Sequence, residues 1–150
     1  MNIIDKIGEL RIPGVRAITA VTEIILHDTV TSTVQAAIDT LKQRGLGYHY
    51  LIDKNGDIVQ LAKPEDLMWH ALKYNMHTIG ISFIGGVHQG DITPTQINAA
   101  IELITELKKT FPLKTLAGHR HRTSEGKVDP TGVNCISVAN AVNLVGPTTP

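Results

Sequence analysis

Apolar positions in this chain come in two forms: short unbroken runs, and longer stretches that recur every three to four residues. Thr22–His27 (TEIILH) and Thr78–Ile84 (TIGISFI) are of the first form. Both are short and rich in β-branched residues, which predicts buried strands, the second ending at Gly85-Gly86. Val34, Ala37, Ile38 and Leu41 keep helical spacing after a cap at Thr31-Ser32 and before a stop at Gly45. Tyr48–Ile52 and Asp57–Leu61 flank Asp53-Lys54-Asn55-Gly56, whose Asn-Gly predicts a tight hairpin. Pro64–Met68 suits a short turn or helix. Thr93-Pro94 opens the longest helix, with Ile97, Ala100, Ile101, Ile104 and Leu107 as its apolar face and Lys108-Lys109 near its negative end. Leu116–His119 reads as a short strand, followed by a polar loop to Gly132 and a last helix over Val133–Val145. Residues 1–21 form an N-terminal arm, and 146–150 a loose tail. This order predicts one α/β domain, a mixed central sheet flanked by helices.

Composition narrows the function classes. The 150 residues carry 14 basic and 14 acidic side chains, 42% hydrophobic residues and a single cysteine. One domain of this size buries roughly 70% of the surface its unfolded chain exposes. Zero net charge and no basic run argue against nucleic acid as partner. No apolar stretch approaches the ~20 residues of a membrane span, so no membrane insertion is expected. Met1–Lys6 lacks a basic region leading into an apolar core, so no secretory signal is expected. Cys135 alone cannot form an internal disulfide and reads as buried packing.

The seven histidines change the picture more than the charge does. His27 closes one apolar strand and His119 another, with Lys127 and Asp129 in the loop that follows. A strand end holds an imidazole on a rigid element, as a metal site requires. Two histidines, one carboxylate and a water would complete a catalytic zinc site with an open position. Each residue also has a plainer explanation: a structural histidine, an Asp-Pro turn, a solvated lysine. His49 alternates with Tyr48 along its strand, and packing suits it better.

Taken together, the motifs resemble a known family. They run, in order, Ile25-Leu26-His27-Asp28-Thr29; Gly47-Tyr48-His49-Tyr50-Leu51-Ile52 with Asn55-Gly56; Trp69-His70-Ala71; Ile79-Gly80-Ile81-Ser82-Phe83; Pro94-Thr95-Gln96; and Gly118-His119 with Lys127-Val128-Asp129-Pro130. The chain is similar, over about residues 22–134, to the type 2 N-acetylmuramoyl-L-alanine amidases. That zinc fold is shared by amidase-type phage lysozymes, recycling amidases and peptidoglycan recognition proteins. The resemblance implies Zn2+ held by His27, His119 and Asp129. It implies Lys127 stabilising charge on the scissile carbonyl oxygen and Tyr48 beside the nucleophilic water. Trp69 and His70 would line the substrate cleft. Recycling amidases place a glutamate where this chain has Ser82, which makes it more similar to the phage branch. Lys127 and Asp129 lie eight and ten residues after His119, the recycling spacing, and six and eight after His121, the phage spacing. His119 is preferred because it ends the apolar strand, and His121 stays open as the alternative ligand.

The substrate implied is peptidoglycan or a soluble muropeptide. Three readings follow: a phage or prophage endolysin, made in the cytoplasm and released to the wall during lysis; a cytoplasmic recycling amidase; and a peptidoglycan-binding module without catalysis.

Overall fold

The apolar runs become neighbouring strands because each can be covered on both faces. The computed structural model describes residues 1–150. In chain order its elements are β1 (Ile3–Asp5), β2 (Gly14–Val15), β3 (Glu23–Asp28), α1 (Val34–Arg44), β4 (Tyr50–Ile52), β5 (Ile58–Gln60), β6 (Asp66–Leu67), β7 (Thr78–Phe83), α2 (Pro94–Leu107), β8 (Thr115–Gly118) and α3 (Cys135–Ala141). Six strands form one sheet in the order β1-β5-β4-β7-β3-β8. Only the β4–β5 hairpin is antiparallel in it, so the sheet is mixed. Every residue of β3 and β7 is buried, which explains why neither sequence alternates.

Register separates the two faces. Ile25 pairs with Gly80 and His27 with Ser82, so these four share one face, while Ile24, Leu26, Ile79 and Ile81 point to the other. The second face packs on α2 and α3 through Leu103, Ile104, Val138 and Ala139, forming the larger core. The first is covered beyond β4 by Ala37, Ile38 and Leu41 of α1, with Leu10 and Met68. That smaller core stops short of the ends of β3 and β8. His119 and Asp129, beside the buried His27, therefore open onto a groove rather than onto a helix.

Several local expectations shift. Thr33, not Thr31-Ser32, caps α1: its Oγ1 accepts from Ala36 N at 3.1 Å, while Thr31 donates to Thr29 Oγ1. Gly45 stops the helix as expected, with φ of 66°. Thr93 and Pro94 open α2 as expected, and Gln96 completes a capping box and bonds the carbonyls of Ile52 and Ile84. The buried face of α2 is turned toward Ala99 and Leu103, leaving Ile97 and Ile101 at its margin. Residues 66–67 are a strand rather than a turn or helix, because β2 in the N-terminal arm supplies an antiparallel partner. The arm also adds β1, parallel to β5, at the sheet edge. The last helix ends at Ala141 instead of Val145, because Val145 bridges to Thr115 beside β8. Residues 146–150 fold back rather than hang free: the Pro150 carbonyl oxygen accepts from Cys135 N at 2.9 Å and Arg120 Nη2 at 2.6 Å.

His49 ties the elements under the groove. Its Nδ1 accepts from Gly80 N at 3.0 Å, and its Nε2 donates to the Asp66 carbonyl at 2.7 Å. Burial pushes its pKa from the ordinary 6.5 down to about 3, and the nearby Arg16 adds to this. His27, held by burial at about 4, acts in the same sense. The unfolded chain takes up these protons near pH 6.5 and the folded chain only well below it. The stability from the neutral rings is therefore full above 6.5 and lost as pH falls towards 3. Urea unfolding at pH 7 and pH 4.5 should differ by about 2–3 kcal/mol for each of the two rings, the folded state being weaker at pH 4.5. Equal values would contradict the neutral, buried state of these rings.

Candidate metal centre and its groove

Two adjacent parallel strands and one returning loop bring the donors together. β3 and β8 pair Leu26 with Gly118, so the next residues, His27 and His119, emerge side by side at the same end of the sheet. β8 stops at Gly118, and His119–His121 make a 3-10 turn instead of continuing it. The loop brings Asp129 back between the two rings. Its Oδ2 lies 3.1 Å from His27 Nδ1, and its Oδ1 lies 3.2 Å from His119 Nδ1. The loop is held from both sides. Asp28 Oδ2 accepts from Thr131 N and Oγ1 at 2.8 and 2.9 Å. Arg120 grips the carbonyls of Pro130 and Val133. Burial opposes ionisation of Asp129, yet the close imidazoles of His119 and His27 hold its carboxyl far below the usual carboxylate range.

These three donors fit a metal ion. One ligand atom from each of His27, His119 and Asp129 lies within 4.8 Å of the others. Bonds of about 2.0–2.1 Å in a tetrahedron set ligand atoms about 3.3–3.4 Å apart, close to the two separations above. Two imidazole nitrogens and a carboxylate oxygen are also a donor set that zinc accepts. His121 stands outside this cluster, with its Nδ1 accepting from Gly118 N at 2.9 Å.

The other candidates surround the three donors at different depths. The Tyr48 ring centroid is 4.6 Å from that of His27. Burial and the Asp129 charge push the phenol far up, so it keeps its proton and acts as a donor, not a base. Ser82 Oγ is buried beside that phenol, within its reach, and Asp28 Oδ1 is buried without a hydrogen-bond partner. His70 lines the groove but is mostly buried, with Nδ1 at 2.8 Å from His27 Nε2. Trp69 is on the rim, with Arg11 stacked 5.0 Å from its ring centroid. Lys127 is half-exposed, its Nζ 3.7 Å from Glu125 Oε2, outside the donor cluster. All of these except Ser82 and Arg11 line a groove of about 1120 Å³ that also includes Arg44 of α1. Its rim carries exposed Val30, Leu46, Leu72, Val87 and Val128, an apolar border around a polar floor.

Gly80 is required by close approach. A Cβ there would meet His70 Nδ1 at 2.8 Å, well inside contact distance. Gly80→Ala should therefore push His70 off its place against His27 and cost about 1–3 kcal/mol of stability. Thermal unfolding checks the cost; an unchanged midpoint would mean the ring has room that these positions deny it.

A family model described as N-acetylmuramoyl-L-alanine amidase matches residues 18–132. The chain belongs to the type 2 N-acetylmuramoyl-L-alanine amidase family. Among curated relatives of this amidase-family chain, the peptidoglycan-recognition protein SC1a/b of Drosophila simulans is 31% identical over 97 residues, 62% of this chain and 52% of that protein. The endolysin of Enterobacteria phage K11 is 28% identical over 80 residues, 49% of this chain and 52% of that protein. These matches span about half the length of each relative. The endolysin amidase LysCS of Clostridium intestinale URNW superposes with a TM-score of 0.75 at 23% identity, covering 95% of this chain and 96% of that one. The mixed-sheet α/β fold expected from the sequence is the fold of this amidase family.

Sequence reading of the amidase motifs passed over four residues around the centre. Arg16, buried in the arm, bonds the carbonyls of Pro64, Asn75 and Thr78 at 2.7, 2.8 and 2.6 Å. Thr78 bonds His70, Asp28 clamps the loop that carries Asp129, and Arg44 adds charge to the groove. Only Asp28 carried a signal, being an acid beside His27 at the end of an apolar run. No helix is long and apolar enough to cross a membrane.

Proposed function

We propose that this amidase-family chain is a zinc-dependent hydrolase of the amide between N-acetylmuramic acid and L-alanine in peptidoglycan, acting as a phage or prophage endolysin. The observation that carries the reading is the His27–His119–Asp129 cluster, of which His119 and Asp129 line an open groove and His27 is buried behind them. Zinc held there would supply a water ionisable near neutral pH and a Lewis acid for the carbonyl, with a position left open to substrate. The chain's own groups supply the rest. Tyr48, kept protonated, donates a hydrogen bond to the attacking oxygen or the carbonyl oxygen. Lys127 brings a positive charge to the carbonyl oxygen as it becomes anionic. Ser82, a hydroxyl on the His27 face of β7, cannot take up a proton as a carboxylate would, which weighs against a recycling amidase.

A second reading, a peptidoglycan-binding module without catalysis, is favoured by the similarity to recognition proteins. Turnover separates the two. Purified protein with one equivalent of zinc should solubilise intact sacculi, releasing free L-alanine amino termini. Sacculi bound without release would support the binding module. Cleavage confined to soluble muropeptides would instead support the recycling enzyme, which remains inside the cell.

A further inference from the structure

Building on the proposed zinc site, we infer that Thr78 is a positioning residue for it: through His70, Thr78 and the Tyr74 carbonyl fix the tautomer of His27 that leaves Nδ1 free to bind metal. The chain of contacts is buried and directional. His27 Nε2 lies 2.8 Å from His70 Nδ1, His70 Nε2 lies 3.1 Å from Thr78 Oγ1, and Thr78 Oγ1 lies 2.8 Å from the Tyr74 carbonyl. A carbonyl only accepts, so at its end the Thr78 hydroxyl must donate. With its one proton committed, Thr78 can only accept from His70, which places the His70 proton on Nε2. His70 Nδ1 is then a lone pair and can only accept from His27, which places the His27 proton on Nε2. The remaining nitrogen of His27, Nδ1, faces Asp129 and His119 as a lone pair.

The opposite order is the hazard this arrangement prevents. An anionic Asp129 lies 3.1 Å from His27 Nδ1 and attracts a proton onto that nitrogen, which would block a metal. Reversing the relay to allow this would turn the Thr78 hydroxyl toward His70 and set two oxygen lone pairs 2.8 Å apart at Tyr74.

The relay is held in place on every side. Arg16 bonds the carbonyls of Asn75 and Thr78, and Asn75 Oδ1 accepts from the backbone N–H groups of His70 and Ala71 at 3.1 and 2.7 Å. Gly80 leaves the space that the His70 ring fills. His27 has no carboxylate on its outer nitrogen, so a neutral chain ending at a backbone carbonyl does the orienting. Partners of this kind typically change metal affinity by about 10- to 100-fold when removed.

The test compares zinc dissociation constants, by competition with a chromophoric chelator, for wild type, Thr78→Val and Thr78→Ser, with thermal melts run in parallel. Thr78→Val keeps the shape and removes the hydroxyl, and it should weaken zinc about 10- to 100-fold. Thr78→Ser restores the hydroxyl and should stay within about threefold of wild type. A purely structural role for Thr78 would lower the melting point of Thr78→Val while leaving zinc affinity in place, and that result overturns the relay. Long-range proton–nitrogen spectra of the zinc-loaded wild type add a readout that needs no variant to fold. Both His27 and His70 should carry their protons on Nε2, and a proton on Nδ1 of His70 overturns the relay. Wild type that binds no zinc overturns the metal site and the relay with it, whereas zinc binding that Thr78→Val retains overturns the relay alone.

Discussion

Replacing His119 with alanine is expected to abolish stoichiometric zinc and the solubilisation of sacculi together, while His121→Ala keeps both. The two histidines sit on one 3-10 turn, two residues apart, so a general disturbance of that turn would affect them alike. Their bonding differs. His119 Nδ1 points at Asp129 from 3.2 Å, and His121 Nδ1 is occupied by Gly118 N. Loss of His119 leaves two protein donors where a catalytic zinc takes three. Zinc affinity should fall by at least about 100-fold, more than for the loss of an outer partner. Loss of His121 leaves one backbone N–H without its acceptor and should cost about 1 kcal/mol of stability. Elemental analysis after dialysis, paired with sacculus clearing, reads both. Zinc lost in His121→Ala and kept in His119→Ala would move the ligand by two residues and require the turn to be rebuilt.

The same turn shows what could and could not be read from the residues. A strand buried on both faces writes its character into consecutive positions, so β3 and β7 were legible from TEIILH and TIGISFI, and with them the placement of His27 at a strand end. The start of α2 was legible because Thr93 is followed at once by proline, whereas the cap of α1 was misplaced within a run of three hydroxyl residues, Thr31-Ser32-Thr33. Segments defined by a distant partner were not legible. Residues 66–67 become a strand only because β2, some fifty residues earlier, lies beside them with Arg16 gripping the neighbouring carbonyls. The end of α3 at Ala141 depends on Val145 bridging to β8. At the centre, the order of motifs suggested Asp129 as a donor through a resemblance, since an Asp-Pro pair in a polar loop does not announce where it returns. His70 was legible as a residue of the cleft and not as a support for His27, because that role depends on a ring orientation set by Thr78 and Gly80.

Lys127→Ala should lower kcat and kcat/KM by the same factor, about 100- to 1,000-fold, with zinc content and melting temperature unchanged. The ground-state structure gives this lysine little to do. Its only ion pair is a 3.7 Å contact with Glu125 in which both side chains are about half-exposed, an interaction that contributes almost nothing to stability. Removing it should leave the fold as it is. Its position two residues before Asp129, on the wall of the groove, is where a flexible ammonium can reach a carbonyl oxygen bound over the donor cluster. A charge that interacts only once the oxygen turns anionic lowers the barrier without tightening the substrate, hence the equal effect on both constants. Lys127→Arg should recover only part of the loss, since a wider, planar cation fits a single developing charge less closely than an ammonium. Steady-state kinetics on a soluble muropeptide separate the outcomes. A rise in KM at constant kcat would make Lys127 a substrate anchor, and no change in either would leave it a solvated charge paired with Glu125. In both cases the oxyanion would depend on Tyr48 as the remaining uncharged donor beside His27, and Tyr48→Phe would become the more damaging substitution.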